Sequence, residues 1–349
     1  MNNKKYFFVL IFYVAFSAVS YCQSATATFL YIQPSAEIMG MGGAGVGLPD
    51  NSFATFYNPA ALVYTKSLSF TSSYSKPIPF FENNLHYAMS LIIPTEKYGV
   101  WALSTNNYWK PNAYMRNDQN ISFGPIKDKP EFFNPTHFQL KLSSSYQFLD
   151  HYSVGVSGSL LKIGYLIKNR NDNNLNINGL IDIGFMAASF GSRFTYQNEN
   201  DTTEFESKSE EKGFSFGLSV LNMGSSIRYE SGIISGFEKE KDKAPTVLNI
   251  GVAYFPFRLK EVSGKLLFDI EDRFYYEDTI DFLHTGGELT FFRIASLRFG
   301  KFINMNQSSA SYYTWGAGFK YKFISANYSR YTRAIMATDH FDLKLSTEF

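Results

Sequence analysis

The stretch Tyr313-Thr314-Trp315-Gly316-Ala317-Gly318-Phe319-Lys320-Tyr321-Lys322-Phe323 alternates without a break. Its odd positions are aromatic or aliphatic and its even positions small or cationic. Successive side chains of a strand point to opposite faces, so this segment has one apolar face and one wet face. The last segment repeats the pattern, with Phe341, Leu343, Leu345 and Phe349 against Asp342, Lys344, Ser346 and Glu348. In a soluble sandwich the apolar face would be the interior. Here segment after segment sets Gly, Ser, Asn and charge on the other face, which suits a watery lumen and not a packed core. The apolar face is therefore read as the outside of a transmembrane antiparallel β-barrel.

Working back from residues 246–349, the same alternation and the turn residues between segments predict about fourteen strands. They fall at 67–75, 85–93, 98–109, 137–148, 152–167, 179–190, 213–223, 246–255, 265–275, 283–292, 294–302, 312–323, 324–331 and 338–349. Tight links at 94–97, 149–151, 293 and 323 alternate with long ones at 110–136 and 224–245, as short periplasmic turns and long outer loops would. The acidic stretch 191–212 is long where a short turn is expected, and reads as a solvated insertion.

Composition agrees. Aromatic residues make up 18% of the 349, with 35 Phe and 24 Tyr against 3 Trp, and such residues gather on the lipid faces and interfacial girdles of barrels. Tyr312, Tyr313, Tyr328 and Tyr331 could line a ligand path, and are most simply assigned to those girdles. Beyond the N-terminus no window is long and apolar enough for a spanning helix. A net charge of +1 excludes nucleic acid as the main partner. The first 22 residues read as an export signal: Lys4 and Lys5, an apolar run over 6–19, and a cleavage zone ending at Cys22, the one cysteine. This divides the chain into a signal (1–22), a Gly-rich segment (23–65) and a barrel (66–349).

Residues 23–65 do not alternate. Ser35 can cap a short helix, and Gly40-Met41-Gly42-Gly43-Ala44-Gly45 follows. Gly40, Gly42 and Gly45 formally satisfy a dinucleotide-binding pattern, but no βαβ unit surrounds them, and close packing or positive φ explains them. The combination Ser35-Ala36, Met39-Gly40-Met41-Gly42-Gly43-Ala44, Asp50 and Phe56-Tyr57-Asn58-Pro59-Ala60 resembles the N-terminal signature of FadL-superfamily outer-membrane barrels, and within it the PorV/PorQ branch. The likeness resumes at Gly217-Leu218-Ser219-Val220-Leu221-Asn222-Met223-Gly224, at 244–254, at Gly287-Glu288-Leu289 and at Leu297-Arg298-Phe299-Gly300. It departs at Glu37, where members more often carry a basic residue, and at Ala61, where they carry a second Gly.

The resemblance implies that residues 23–65 enter the lumen as a hatch, with Gly40, Gly42, Gly43, Gly45, Asn58 and Pro59 as its marker residues. It also implies a bacterial outer-membrane location and a lipid environment. Two functions follow from it. One is a non-enzymatic component of type IX protein secretion that engages the translocon and secreted cargo. The alternative is a FadL-like transporter of hydrophobic molecules such as long-chain fatty acids. The first is favoured because the legible inward faces are mostly Ser, Gly and charge, without an apolar path. A loop suited to gripping a partner is 110–136, with Tyr114, Met115, Ile121, Phe123, Phe132 and Phe133 among polar residues.

No catalytic residue, cofactor or metal site is nominated. His86, His137, His151, His284 and His340 are scattered without metal-ligand spacing. Asp269, Glu271 and Arg273 alternate on one strand, Glu288 lies inward on the next and Arg298 on the third. This luminal charge network is expected to include a Glu288–Arg298 pair that pins register.

Overall fold

A computed structural model describes residues 27–77, 84–95, 97–109, 113–115, 121–122, 131–149, 151–167, 177–188, 213–228, 241–259, 261–274, 281–333 and 336–347. The expected export signal, the acidic stretch 191–212, and Phe123 lie outside these residues.

Numbering only the strands of the wall, these are β1 (Ser69–Ser75), β2 (Leu85–Thr95), β3 (Gly99–Trp109), β4 (Glu131–Leu149), β5 (Tyr152–Ile167), β6 (Ile177–Ala188) and β7 (Gly213–Gly224). The second half is β8 (Val247–Arg258), β9 (Val262–Arg273), β10 (Phe282–Phe291), β11 (Ala295–Asn304), β12 (Tyr312–Tyr321), β13 (Ile324–Arg333) and β14 (Met336–Ser346). Each pairs antiparallel with its neighbours in sequence, and β14 returns to β1 through Ser69↔Ser346 to Ser75↔His340. The result is a closed fourteen-strand meander with no free edge, which satisfies every strand's backbone groups within the wall. Among the described residues no helix is long and apolar enough to cross a membrane.

The alternation decides the facing. Tyr313 is 71% exposed on the outside while its neighbour Thr314 is 3% exposed and turned in. Phe299, Leu343 and Val156 are likewise exposed outward, giving the wall an apolar belt. Links of two or three residues close one end of the barrel at 96–98, 150–151, 259–261, 292–294 and 322–323. This is called the turn end here, and the opposite end the loop end. Lys322, Phe292 and Arg293 take positive φ (50°, 51° and 59°) in those tight links, the conformation that short hairpin turns demand.

Two expectations need correction. Residues 110–136 are not all loop: Ala113–Met115 pairs with Glu131–Phe133 and with Ile121–Ser122, so β4 begins six residues before the expected position. The backbone of Tyr114, Met115 and Ile121 is therefore in short strands at the loop end, and that of Phe132 and Phe133 in the first residues of β4. Second, Tyr312 and Tyr331 are not girdle residues. They share the inward face with Thr314 and Ser329, and Tyr312 stacks on Tyr331 at 4.4 Å and on Phe302 at 4.7 Å between centroids. Tyr313 and Tyr328 do face outward.

Residues 27–65 fill the lumen. They form a 3-10 turn (Thr28–Tyr31), a short helix α1 (Ala36–Met39), and two further 3-10 turns (Ala54–Phe56 and Pro59–Tyr64). Ser35 caps α1 by accepting from the amide of Ile38, and Asn58 caps the last turn by accepting from that of Ala60. Nearly all of this segment is buried.

Candidate functional site

The site is the junction of the luminal segment with its wall. On one flank, formed by β5 to β12, backbone meets backbone. A Cβ on Gly184 would overlap Asn58 and Pro59, one on Gly155 would overlap Pro59 and Ala60, one on Gly217 would overlap Val46, and one on Gly300 would overlap Gly42 and Met41. Only a wall without side chains at these points admits the segment. Gly42 and Gly43 themselves hold φ of +75° and +86°, which turns the chain sharply after α1.

Polar partners match this close fit. The amides of Gly45 and Val46 donate to Asp269 Oδ2 at 2.6 and 2.8 Å. Thr314 Oγ1 accepts from the Gly42 amide at 2.9 Å and donates to the Gly40 carbonyl at 3.1 Å, and His284 Nδ1 lies 2.9 Å from the Gly42 carbonyl. Asn58 Nδ2 donates to the carbonyls of Val46 and Phe185. Ser145 and Ser153 both donate to the Ala60 carbonyl at 3.0 Å.

Charge is arranged around the segment rather than across an open pore. Glu288 and Arg298 are register partners joined at 2.5 Å. Lys265 contacts both Glu288 (3.1 Å) and Glu37 of α1 (3.0 Å). Burial disfavours ionisation of Glu37, yet Lys265 and Arg298 outweigh it and hold its carboxyl down to about 2. Asp342 accepts from the amides of Ala36 and Glu37, which seats the N-terminus of α1. Of the triad on β9, Asp269 holds the glycine turn, Glu271 contacts Arg273 (2.6 Å) and His284 (3.2 Å), and the Arg273 guanidinium lies 4.0 Å from the Tyr31 ring centre. Lys141, buried beside Asp182 at 2.6 Å, donates to the Thr55 carbonyl.

Sequence reasoning did not single out Glu37, Lys265, Asp342, Lys141 or Thr314. Alternation does turn Lys265 to the same side as Asp269 and Glu271, and this was the available signal. Their partners across the junction lie 86 to 306 residues away and leave no local trace.

The lumen also has an apolar lining that the wall alone does not predict. At the loop end Phe29 packs with Leu161, Ile163, Leu180 and Ile227. In the middle Ile38, Met41, Leu48 and Phe53 meet Ala88, Ala253 and Leu267. At the turn end Leu62, Val63 and Tyr64 meet Ile92, Val100 and Met186. About half of these clustered residues belong to residues 27–65, so reading the inward strand faces alone undercounts them. Between these layers is a cavity of about 50 Å³ beside Gln33, Lys141, Asn249 and Asp269, room for a few waters and no more.

No family profile matches the sequence, and no curated protein does. Solved structures do match. The fold resembles that of the toluene transporter TodX. The Pseudomonas putida structure is 10% identical over 89% of this chain and 97% of its own, with a TM-score of 0.51. A FadL homologue from Pseudomonas aeruginosa aligns over 95% of this chain and all of its own at 10% identity, with a TM-score of 0.49. At such identity the likeness to TodX establishes architecture alone.

Proposed function

We propose that this chain is an outer-membrane channel for small hydrophobic molecules, with residues 27–65 as its hatch. The observation that supports this most is the series of apolar clusters from the loop end to the turn end of the lumen. A solute leaving water at the loop end meets apolar surface at each level, and burial of that surface favours its entry. TodX, a toluene transporter, shares the architecture. The cavity at the junction is too small for such a solute, so passage requires the hatch to shift. The outward apolar belt and short turns at one end fit an outer-membrane barrel whose loop end faces outward. A role in type IX secretion rests on the sequence resemblance to PorV/PorQ proteins, and the fold likeness does not add to it.

The test is uptake of radiolabelled toluene and oleate by cells lacking their own hydrophobic transporters and expressing this chain. Uptake well above that of empty-vector cells, reduced by Phe29→Asp, is the expected result. Uptake equal to the vector control, with a large translocon barrel co-purifying in mild detergent, would replace this reading with the secretion one.

A further inference from the structure

The hatch is seated unevenly. Against β8 to β12 its backbone groups meet Asp269, His284 and Thr314 at hydrogen-bond distance. Against β13, β14 and β1 the wall is equally polar, but apart from Ser73, Asp342 and Lys344 it is unanswered. Ser329 Oγ, both ring nitrogens of His340, Ser69 Oγ and Thr71 Oγ1 are buried without a hydrogen-bond partner. Each of these four residues is 1% exposed. They form one luminal patch: Ser329 is the register partner of His340, His340 of Ser75, and Ser69, Thr71, Ser73 and Ser75 alternate along β1.

For Ser329 and His340 the cause lies in the hatch. Helix α1 packs against β12, β13 and β14, and its buried residues there are Ala36, Ile38 and Met39, which carry no side-chain hydrogen-bonding group. On this flank the hatch is tied by Ser73 donating to the Pro34 carbonyl and by Asp342 at the start of α1. An unpaired buried polar atom is destabilising, and contact with water removes the penalty. Parting the hatch from β8–β12 breaks formed bonds. Parting it from β13–β14–β1 breaks the bonds at Ser73 and Asp342 and in return gives five orphaned atoms water.

The geometry points to a second route. The hatch separates from the β13–β14–β1 wall, and the slot so opened, lined by Ser69, Thr71, Ser73, Ser75, Ser329 and His340, passes small uncharged hydrophilic solutes. Hydroxyls and imidazole each donate and accept, the chemistry that replaces the hydration of a polyol or pentose. This route is independent of the apolar clusters and of hydrophobic uptake.

The test uses the purified full-length protein in liposomes, with L-arabinose as probe and osmotic swelling as readout. The unmodified protein should swell severalfold faster than protein-free vesicles. Pro34→Cys with Ser73→Cys, in a Cys22→Ser background, should stop swelling when oxidised and restore it on reduction. Thr71→Val with Ser329→Ala, which removes orphaned hydroxyls and favours the closed seam, should slow it. Heat-modifiable gel mobility reports folding. If the cysteine pair does not fold, the Val/Ala pair carries the test. No swelling above protein-free vesicles, equal swelling with the disulfide formed, or full swelling in a folded Val/Ala variant would overturn the proposal, whatever the result of hydrophobic uptake.

Discussion

Residues 40–47 and residues 36–39 lie side by side in the same lumen and are held in opposite ways. The glycine turn presents bare backbone, and β8–β12 answer with glycines that let it approach and with Asp269, His284 and Thr314 to pair it. Helix α1 takes a wall partner for its backbone only at its first two amides, from Asp342, and otherwise presents apolar side chains to a wall of hydroxyls and an imidazole. The first contact is specific and rigid. The second is a polar wall under an apolar lid, tied chiefly at one end. Tightness of fit and chemical match are thus separate properties of a plug, and here they are assigned to different flanks.

That contrast is sharpest at Gly300. A Cβ there would overlap the backbone at Met41 and Gly42, atoms that cannot swing aside. Gly300→Val should unseat the hatch, with a penalty of about 3 kcal/mol or more, read as new proteolytic cleavage within residues 27–65 while the barrel stays folded. Cleavage no greater than in the unmodified protein would mean that the two flanks do not differ in rigidity. Asp269→Leu comes next. It strands the buried amides of Gly45 and Val46, and a loss of about 2–3 kcal/mol in hatch seating is expected, seen as a lowered first transition in thermal unfolding.

Acid separates the flanks in another way. Glu37 ionises near 4.5 when free and near 2 when docked, so its contribution to docking is complete above about pH 4.5. It is lost as the pH falls toward 2. Hatch accessibility to protease should rise across that window, and Glu37→Gln should flatten the step. A profile that keeps its step in the Gln variant would assign it to another carboxylate. The smallest effect is expected on the unmatched side: Ser329→Ala removes a hydroxyl that bonds nothing, and should be neutral or stabilising by up to about 1 kcal/mol. A clear loss of stability there would show a partner and erase the contrast.

How much of this the sequence carries differs between wall and hatch. The strands are legible because a period of two is written along each one, as at Tyr313 to Phe319, and needs no distant partner to be read. The register pair Glu288–Arg298 follows from neighbouring strands joined by a short turn. The docking of Glu37 on Lys265 does not, because 228 residues separate them. The apolar lumen was hidden for a related reason. Alternation exposes what most strand positions point inward, Ser, Gly and charge, but about half of the apolar residues clustered in the lumen, such as Phe29, Ile38 and Leu62, come from a segment with no period at all.

The Ala36 amide and the Asp342 carboxylate are 306 positions apart. A ribosome makes the hatch first and its last anchor almost at the end, while Ser69 waits as long for Ser346. Contacts this distant in sequence form late. Closing the cylinder and seating the start of α1 therefore both wait on β14, the strand that carries Asp342 to Ala36 and Ser346 to Ser69.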